Sequence, residues 1–243
     1  MRNDIAAVFW KEWREILTLG GTRGKLGMLI FAVAFGVLLP LQNGRAWVES
    51  PVLLLFWVWM PLFMVSSVIA DSIAGERERH TLETLLASRL PDHAILLGKA
   101  ATAISYGVAL TWFNLLVGLV TVNIAFGAGK LVMYTPAALA TIVLVSILGA
   151  GLSAGAGILV SLRATTVRQA QQTLSIAMLL LFVLPIMSIQ FLPAQTQAQL
   201  KQVLAGIDPV PIALIAGAVL LLADVLLMVV ALARFKRARL ILD

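Results

Sequence analysis

The stretch Gly75–Lys99, GERERHTLETLLASRLPDHAILLGK, concentrates charge between two long apolar runs. Its leucines recur at the spacing of one helical face and its charges lie opposite, which predicts an amphipathic helix from Glu76 to Arg89. Pro91 ends this helix, and Asp92 can cap a second one that leads to Lys99. The apolar face comprises Leu82, Leu85, Leu86 and Leu90, and the polar face Glu76, Arg79, His80 and Glu83. We therefore expect a helical hairpin at the edge of a membrane, suited to docking a soluble partner.

The composition places this stretch in an integral membrane protein. The chain has 243 residues, of which 60% are hydrophobic and 12% charged, and its mean hydropathy is +0.98. Soluble domains rarely exceed about half apolar residues. Here the excess falls in blocks of about 20 residues, the length that crosses a bilayer. We expect one all-α domain over residues 1–243, and the absence of cysteine excludes disulfides and thiolate metal sites.

Six apolar segments are long enough to be transmembrane helices. They lie at about 26–41, 52–73, 100–126, 136–162, 173–191 and 209–232. Before them, residues 1–25 contain an apolar stripe opposed by charges, which predicts a helix lying in the membrane interface. After the fifth, residues 193–208 show helical spacing and predict a short outer helix, with a flexible polar loop as the alternative. The fold class is thus a polytopic bundle with an interfacial amino-terminal helix.

The distribution of lysine and arginine predicts the orientation. If both termini are cytoplasmic, 15 of the 18 basic residues lie inside, and only Arg45, Lys130 and Lys201 lie outside. Cytoplasmic loops retain such residues, so the Gly75–Lys99 stretch belongs in the cytoplasm of a cell-membrane protein. The net charge of +6 does not indicate nucleic-acid binding, because the basic residues are spread over short loops without a continuous basic face.

Two near-motifs for catalysis fail on chemistry. Gly151–Gly155 reads G-x-S-x-G, but a serine hydrolase needs a preceding strand and a base near the serine. Both histidines lie in the Gly75–Lys99 stretch, so we interpret Gly149, Ser153 and Gly157 as one packing face and Gly151 with Gly155 as a G-x-x-x-G pair. Gly20–Leu26 resembles a phosphate-binding loop, yet its glycine spacing is short and no hydroxyl follows Lys25. We expect no nucleotide site and no catalytic residue in this chain.

Asp224 is a carboxylate inside the sixth apolar segment. Such a group costs about 2.5 to 3.5 kcal/mol on insertion scales, so we expect it to face a cavity or a polar partner such as Asn114 or Asn123. Asp224 and Asn114 are the candidate intramembrane polar residues, in a functional or a purely structural role. His80 and His93 are too far apart to share a helical face, and their surroundings predict a solvated charged surface and no metal site.

These features together resemble one family. Glu76–Arg79, Thr81–Glu83, Leu85–Leu86, Pro91 and Gly98–Lys99 are similar to the signature of ABC-2 type permeases, the membrane subunits of ATP-binding-cassette exporters. One departure is His80, where the family pattern has glycine. The interfacial amino-terminal helix, the six spans and the outer helix also match the layout of that family.

The resemblance implies a coupling helix that sits in a groove of a separate cytoplasmic ATPase. That ATPase would bind ATP and magnesium, and this chain would bind no cofactor. A second permease copy, identical or a sister chain, would complete the pore in the lipid bilayer, and closure of the ATPase dimer would tilt the spans. Arg163 and Arg168 would make a secondary cytoplasmic contact. The implied coupling residues are Glu76, Arg77, Glu78, Arg79, His80, Thr81, Leu82, Glu83, Leu86 and Arg89.

Two alternatives remain open at this stage. A secondary transporter or channel driven by a gradient would use Asp224 as its proton or ion relay. An intramembrane hydrolase would use Ser153. Internal repeats with paired broken helices, typical of many secondary transporters, are not evident in the sequence. The apolar spans suit a lipophilic or amphipathic cargo, and would equally suit a protein that only anchors or senses.

Overall fold

A computed structural model describes residues 2–19, 21–50, 53, 56–180, 184, 187–188, 191–193, 195–197, 199 and 209–235. All its regular elements over these residues are helical, which confirms the all-α class. The helices are α1 (Arg2–Leu19), α2 (Gly21–Val33), α3 (Leu39–Asn43), α4 (Ala46–Glu49), α5 (Phe56–Glu78), α6 (Leu82–Ala87), α7 (Asp92–Phe126), α8 (Pro136–Arg163), α9 (Val167–Met178) and α10 (Pro209–Arg234), with a π-helical turn, Ala34–Leu38, joining α2 to α3.

Four helical stretches within the described residues are long and apolar enough to cross a membrane. They are Leu26–Asn43, Asp92–Phe126, Pro136–Arg163 and Leu214–Arg234, and they coincide with the predicted first, third, fourth and sixth spans. The second predicted span, 52–73, overlaps the 23-residue helix α5 and stays a prediction. The fifth, 173–191, and the outer helix, 193–208, lie partly outside the described residues.

Helix α8 packs on α5 through small polar residues. Ser153 Oγ donates to the carbonyl of Leu62 at 2.8 Å. About two turns further along both helices, Ser161 Oγ donates to the carbonyl of Ala70 at 3.0 Å and accepts from the backbone N–H of Ala74 at 2.9 Å. Because the contacting positions advance together along both helices, α5 and α8 run in the same direction. The predicted packing role of Ser153 is confirmed, since its hydroxyl is buried and bound to backbone.

The neighbouring face of α8 packs on α10. A Cβ atom added at Gly151 would lie 2.6 Å from Oδ2 of Asp224, and one added at Gly155 would lie 2.8 Å from Cβ of Leu227. The G-x-x-x-G interpretation of this pair is therefore confirmed, because only glycine allows this approach. These contacts also advance together, so α10 runs parallel to α8, whereas α7 runs antiparallel to α5.

Two buried clusters occupy opposite ends of the bundle. At the first, which we call the α6 end, α6 and the ends of α5, α8 and α10 meet the start of α7. At the second, the loop end, α4 and the start of α5 meet the end of α7 and the loop before α8. The largest members at the α6 end are Ile69, Ile95, Leu96, Ile158 and Phe235, and those at the loop end are Trp47, Trp57, Met60, Val122 and Tyr134.

The outer surface between the two ends is apolar. The side chain of Ile124 on α7 is 82% exposed and that of Leu222 on α10 is 69% exposed. Many further leucine, valine and phenylalanine side chains on these helices are exposed as well. In water such a continuous apolar surface would drive association, so its natural environment is lipid. The chain is a multi-pass membrane protein.

The α5–α8 contact gives a test of the packing. A Cβ added at Gly157 would overlap Cγ2 of Ile69, which is itself fully buried. We expect Gly157→Ala to lower the free energy of unfolding by about 1 to 3 kcal/mol, the usual cost of overpacking. The measurement is denaturant unfolding of the purified chain in detergent, followed by circular dichroism.

Gly27→Ala is the matched control, because nothing lies within 4 Å of a Cβ at that position in α2. There alanine should be neutral or stabilising by up to about 1 kcal/mol through its helix propensity. Equal stability of the two variants would contradict the close α5–α8 approach.

Candidate functional site

The turn between α5 and α6 is built around a left-handed residue. His80 has a φ of +57°. Its N–H donates to the carbonyl of Arg77 at 3.1 Å, and the N–H of Thr81 donates to the carbonyl of Glu76 at 2.9 Å. This pair of hydrogen bonds is a Schellman motif, which terminates α5. The predicted single helix Glu76–Arg89 is therefore wrong: its first turn is the end of α5, and the next helix begins at Leu82.

The same geometry explains the one departure from the permease pattern. The left-handed position that follows a helix is most often glycine, because a Cβ atom is strained there. The glycine of the pattern stands where this chain has His80, at that left-handed position. Histidine keeps the turn at a cost of about 1 to 2 kcal/mol relative to glycine. Glycine would adopt this conformation without strain, and His80 adopts it in this chain.

Helix α6 is amphipathic, as predicted. Its residues Leu82 and Leu86 are only 7% and 4% exposed and belong to the cluster at the α6 end. Leu85 and Leu90 are half-buried and pack against the same cluster. On the opposite face Glu83, Thr84 and Ala87 are exposed, and Arg89 beyond the helix is exposed too. The six-residue helix is therefore held by its leucines and presents a small polar face outward.

Glu76 lies in a buried ion cluster, and its predicted place on the exposed face is wrong. Its side chain is 6% exposed, and that of Lys99 is 3% exposed. Lys99 Nζ lies 3.2 Å from Oε1 of Glu76 and 2.8 Å from Oε1 of Glu12. Lys11 Nζ completes the group at 3.3 Å from Oε1 of Glu76. This ion cluster, Lys11, Glu12, Glu76 and Lys99, joins α1, α5 and α7 at one point.

The cluster holds Glu76 as a carboxylate. Burial alone would raise the pKa of Glu76, because a charged group loses hydration. The positive charge of Lys99, a hydrogen bond from the hydroxyl of Thr81 and the charge of Lys11 outweigh burial and lower that pKa to about 2. Glu76 consequently stays ionised over the physiological range. Its second oxygen accepts from Thr81, so the cluster also fixes the turn that leads into α6.

Helix α1 reaches the cluster by packing lengthwise on α7. Val8 lies against Gly98, where an added Cβ would be 2.6 Å from Cβ of Val8. Four residues later Thr102 Oγ1 donates to the carbonyl of Phe9 at 3.3 Å. The same Cβ at Gly98 would lie 3.2 Å from the carbonyl oxygen of Ile5, so the contacts advance by four residues on each helix, from Ile5 to Phe9 and from Gly98 to Thr102. Helix α1 therefore runs beside the first turns of α7. Its predicted place in the membrane interface stays a prediction.

Arg77 and Glu78 bind the segment between α8 and α9. The guanidinium of Arg77 donates to the carbonyl of Leu162 at 3.1 Å and to that of Ala164. A carboxylate oxygen of Glu78 accepts from the backbone N–H of Val167 at 2.9 Å. Cations stabilise helix C-termini and anions stabilise N-termini, so the two charges match the end of α8 and the start of α9. The structure thus brings the predicted secondary segment, with exposed Arg163 and Arg168, beside the α6 hairpin.

Arg79 makes a two-pronged ion pair one turn outside the buried cluster. Its Nη1 lies 3.1 Å from Oδ1 of Asp71, and its Nη2 lies 3.2 Å from Oδ2. Both side chains are 43% exposed, so the pair contributes little to stability by itself. Arg77 thus binds backbone carbonyls, whereas Arg79 pairs with Asp71, a carboxylate that precedes the Gly75–Lys99 stretch.

The intramembrane candidates Asp224 and Asn114 lie apart. Asp224 packs on Gly151, and its Oδ1 atom is buried without a hydrogen bond to any described residue. Asn114 donates to the carbonyl of Leu110 at 2.8 Å and faces Gly36. Asn123 exchanges two hydrogen bonds with the backbone of Val132, both 2.8 Å long. The expected pairing of Asp224 with either asparagine is wrong, because each asparagine is turned to another element.

Sequence analysis missed Lys11, Glu12 and Lys99 as partners of Glu76. A signal was present, because Lys99 directly precedes the apolar run 100–126, and Glu12 lies one turn after Val8 on the apolar stripe of α1. Buried charges need partners, and each of these charges needed one from a different part of the chain. From the sequence alone, the pairing of Glu76 with Lys99 was only one of several possible combinations of opposite charges.

The comparisons with known proteins concern this same region. A family model described as ABC-2 family transporter protein matches residues 64–216. The match includes most of α5, the α6 hairpin, α7, α8 and α9. No curated protein and no solved structure matches the chain significantly.

The ion cluster gives a prediction for stability and pH. Glu76→Gln removes the charge that Lys99 and Lys11 bind, and we expect the free energy of unfolding at pH 7 to fall by about 2 kcal/mol. The folded-state pKa of Glu76 is lowered to about 2 from 4.5, so its ionised form stabilises the fold above pH 4.5. That contribution should shrink as the pH falls from 4.5 towards 2. Unfolding in detergent over a pH series measures it.

Glu83→Gln is the control, since Glu83 is an exposed carboxylate on α6. This change should alter stability by less than about 0.5 kcal/mol. A Glu76→Gln variant as stable as the Glu83→Gln variant at pH 7 would show that the ion cluster does not hold the helices.

Proposed function

The chain belongs to the ABC-2 family of transporter proteins and is an ABC transporter permease; from that premise we propose that it is an exporter subunit driven by a separate ATPase. Helix α6 is the element that docks on the ATPase, and α5 and α7 carry its movement into the membrane. The observation that carries the proposal is the construction of α6, which is anchored by buried leucines and exposed only on its polar side.

The exposed face of α6 is small but well positioned. Glu83, Thr84 and Ala87 project from it, and Arg89 follows on the same side of the hairpin. A partner that binds this face touches exposed side chains that lie opposite the leucines anchoring α6. By contrast, Glu76, Arg77 and Glu78 are bound to other helices of the same chain. We therefore assign docking on the ATPase to Glu83–Arg89. Residues Glu76–Thr81 hold α6 rigidly against the neighbouring helices.

A force on α6 passes to the spans through three connections. The Schellman motif and Thr81 tie α6 to the end of α5. The ion cluster ties α5 to α7 and α1. Arg77 and Glu78 tie α5 to α8 and α9. Packed interfaces move as rigid units, so displacement of α6 shifts all these helices together and alternates access to the pathway.

The directions of the helices support six crossings. Helices α5, α8 and α10 all begin at the loop end and finish at the α6 end, while α7 runs the other way. Two parallel neighbours such as α8 and α10 require a return crossing between them, and α9 begins it. With the basic residues concentrated at the α6 end, that end and both termini are cytoplasmic. A second permease copy, identical or related, completes the pore in the cell membrane.

The nucleotide chemistry belongs to the partner. The glycine-rich segment near Lys25 lacks the spacing and the hydroxyl that a phosphate-binding loop needs. The ATPase subunit supplies the site for ATP and magnesium, and the permease contributes the pathway and the docking helix. Members of this family act as membrane transport subunits, which agrees with that division.

Photo-cross-linking tests the docking face. A benzophenone amino acid at position 84 or 87, both exposed on α6, should cross-link to the ATPase in the intact complex. The same probe at position 130, in the exposed loop at the opposite end, is the control and should give no ATPase adduct. Glu83→Lys with Arg89→Glu should weaken retention of the ATPase about ten-fold, corresponding to about 1.4 kcal/mol.

Adducts from positions 84 and 87 only to lipid, with an unchanged complex after charge reversal, would remove the basis for the proposal. The charge reversals are restricted to Glu83 and Arg89 because both side chains are exposed. Reversing Glu76 or Glu78 would break contacts inside the permease, and a lost complex would then have two explanations.

A second candidate function rests on Asp224. Its Oδ1 atom is buried in the bundle without a hydrogen bond among the described residues, and intramembrane carboxylates often relay protons or ions. A gradient-driven transporter would use this group while α6 served only as a loop. The arrangement of α6 and the family favour the ATPase-driven exporter.

Transport by the reconstituted complex separates the two candidates. We expect ATP-dependent transport, with Asp224→Asn retaining at least about half of the wild-type rate because the chemistry of coupling lies at α6. The charge-reversed α6 variant is the comparison and should lose most of that rate. Transport driven by a proton gradient without ATP, and abolished in Asp224→Asn, would instead establish the gradient-driven function.

A further inference from the structure

A cavity of about 330 Å³ lies at the α6 end between α8, α9 and α10. It is separate from the docking face of α6 and from the ion cluster. Two arginines line it, Arg163 at the end of α8 and Arg234 at the end of α10. The side chains of Gln169 and Thr173 on α9 line it as well. We refer to these four residues and the space between them as the arginine pocket.

Neither arginine has an internal counter-charge among the residues that the structure describes. All the ion pairs found there belong to other basic residues, Lys11, Arg79 and Lys99. Among the described residues that line the cavity there is no carboxylate. Two like charges that share a pocket repel each other, and an anion between them would relieve that repulsion. Both arginines are therefore available to bind a negative group.

The other polar atoms of the pocket also favour an anion. Oε1 of Gln169 accepts from the N–H of Thr165 at 2.9 Å and from its hydroxyl at 3.0 Å. With this oxygen occupied, the NH₂ group of Gln169 remains to donate. The C-terminal carbonyls of α8, which would repel an anion, already accept from Arg77.

The depth and lining of the pocket indicate where the anion comes from. Leu159 and Val160 on α8 and Val230 on α10 form its apolar side, one turn inside the arginines. The cavity thus has a cationic rim at a helix end and an apolar wall towards the membrane. Basic pockets of this kind between membrane helices accommodate lipid headgroups.

We propose that the arginine pocket binds a phosphate group, carried by an anionic lipid of the adjacent leaflet. The two guanidinium groups bind the phosphate oxygens, the Gln169 amide donates to them, and an acyl chain lies along Leu159 and Val230. Because the pocket joins the ends of α8, α9 and α10, the bound headgroup ties these three helices together. The proposal is independent of the docking of α6, since it uses neither α6 nor the ion cluster, and it gives Arg163 a ligand other than the ATPase.

The test measures binding of water-soluble short-chain lipids to the purified full-length chain in neutral detergent. Dioctanoyl phosphatidylglycerol should bind and raise the melting temperature, and zwitterionic dioctanoyl phosphatidylcholine should bind at least ten-fold more weakly. Arg163→Gln and Arg234→Gln should each raise the apparent Kd for the anionic lipid about five-fold, and together about thirty-fold. Each single variant removes one exposed charge, so the test remains available even if the double variant is unstable.

Arg14→Gln with Lys130→Gln is the matched control, because it removes two exposed charges away from the pocket. It should leave the Kd within two-fold. Inorganic phosphate distinguishes the sources: weak competition supports a lipid, and phosphate binding as tight as lipid binding, still lost in the double variant, supports a site for free phosphate. Unchanged lipid affinity in the double variant would overturn the proposal. If the double variant kept its lipid affinity but no longer retained the ATPase in the complex, the proposal would also be overturned, and the two arginines would be assigned to the ATPase contact.

Discussion

The burial of one ion pair, Glu76 with Lys99, is the constraint on which the arrangement at the α6 end depends. Removing two charges from water costs several kcal/mol for each ion, and only close geometry with further hydrogen bonds offsets that cost. Here Lys11, Glu12 and the hydroxyl of Thr81 supply those bonds. Because the partners come from α1, α5 and α7, the charges are satisfied only when these three helices meet in one arrangement. A buried network of this kind favours a unique packing, where leucines alone would tolerate several.

At the α6 end, the residues that hold the helices together differ from those that are exposed to a partner. Small residues bring α8 against α5 on one side and α10 on the other, with Gly157 and Gly151 at the closest points. Ser153 and Ser161 then bond directly to the backbone of α5. These contacts pack α5, α8 and α10 into one rigid unit, and α6 is attached to that unit at the end of α5. A short helix whose polar face is exposed can bind a partner without disturbing that unit.

Much of this could be predicted from sequence, and the errors have identifiable causes. The apolar face of α6 and the small-residue contacts of α8 followed from helical spacing, and four spans coincide with apolar segments. The start of the coupling helix was misplaced because the charged run 76–79 continues the helical pattern, and nothing local to it signals a stop. Helix α5 ends because His80 has the left-handed φ of +57°, a conformation that histidine seldom adopts. Asp224 was matched to the wrong partners because the rotation of α7 about its axis cannot be derived from hydropathy.

The sequence by itself determined the class of the protein, the helical elements and the faces they bury. An α-helix satisfies its own backbone hydrogen bonds, so its existence and its apolar side depend on residues that are close together in the chain. Only the tertiary structure decided that Glu76 is buried with Lys99, that Arg77 binds the end of α8, and that Arg163 and Arg234 share a pocket. These meetings join residues that are 23, 85 and 71 positions apart in the printed sequence. Which distant charges meet depends on how the helices pack, and that follows from close contacts spread over the whole bundle.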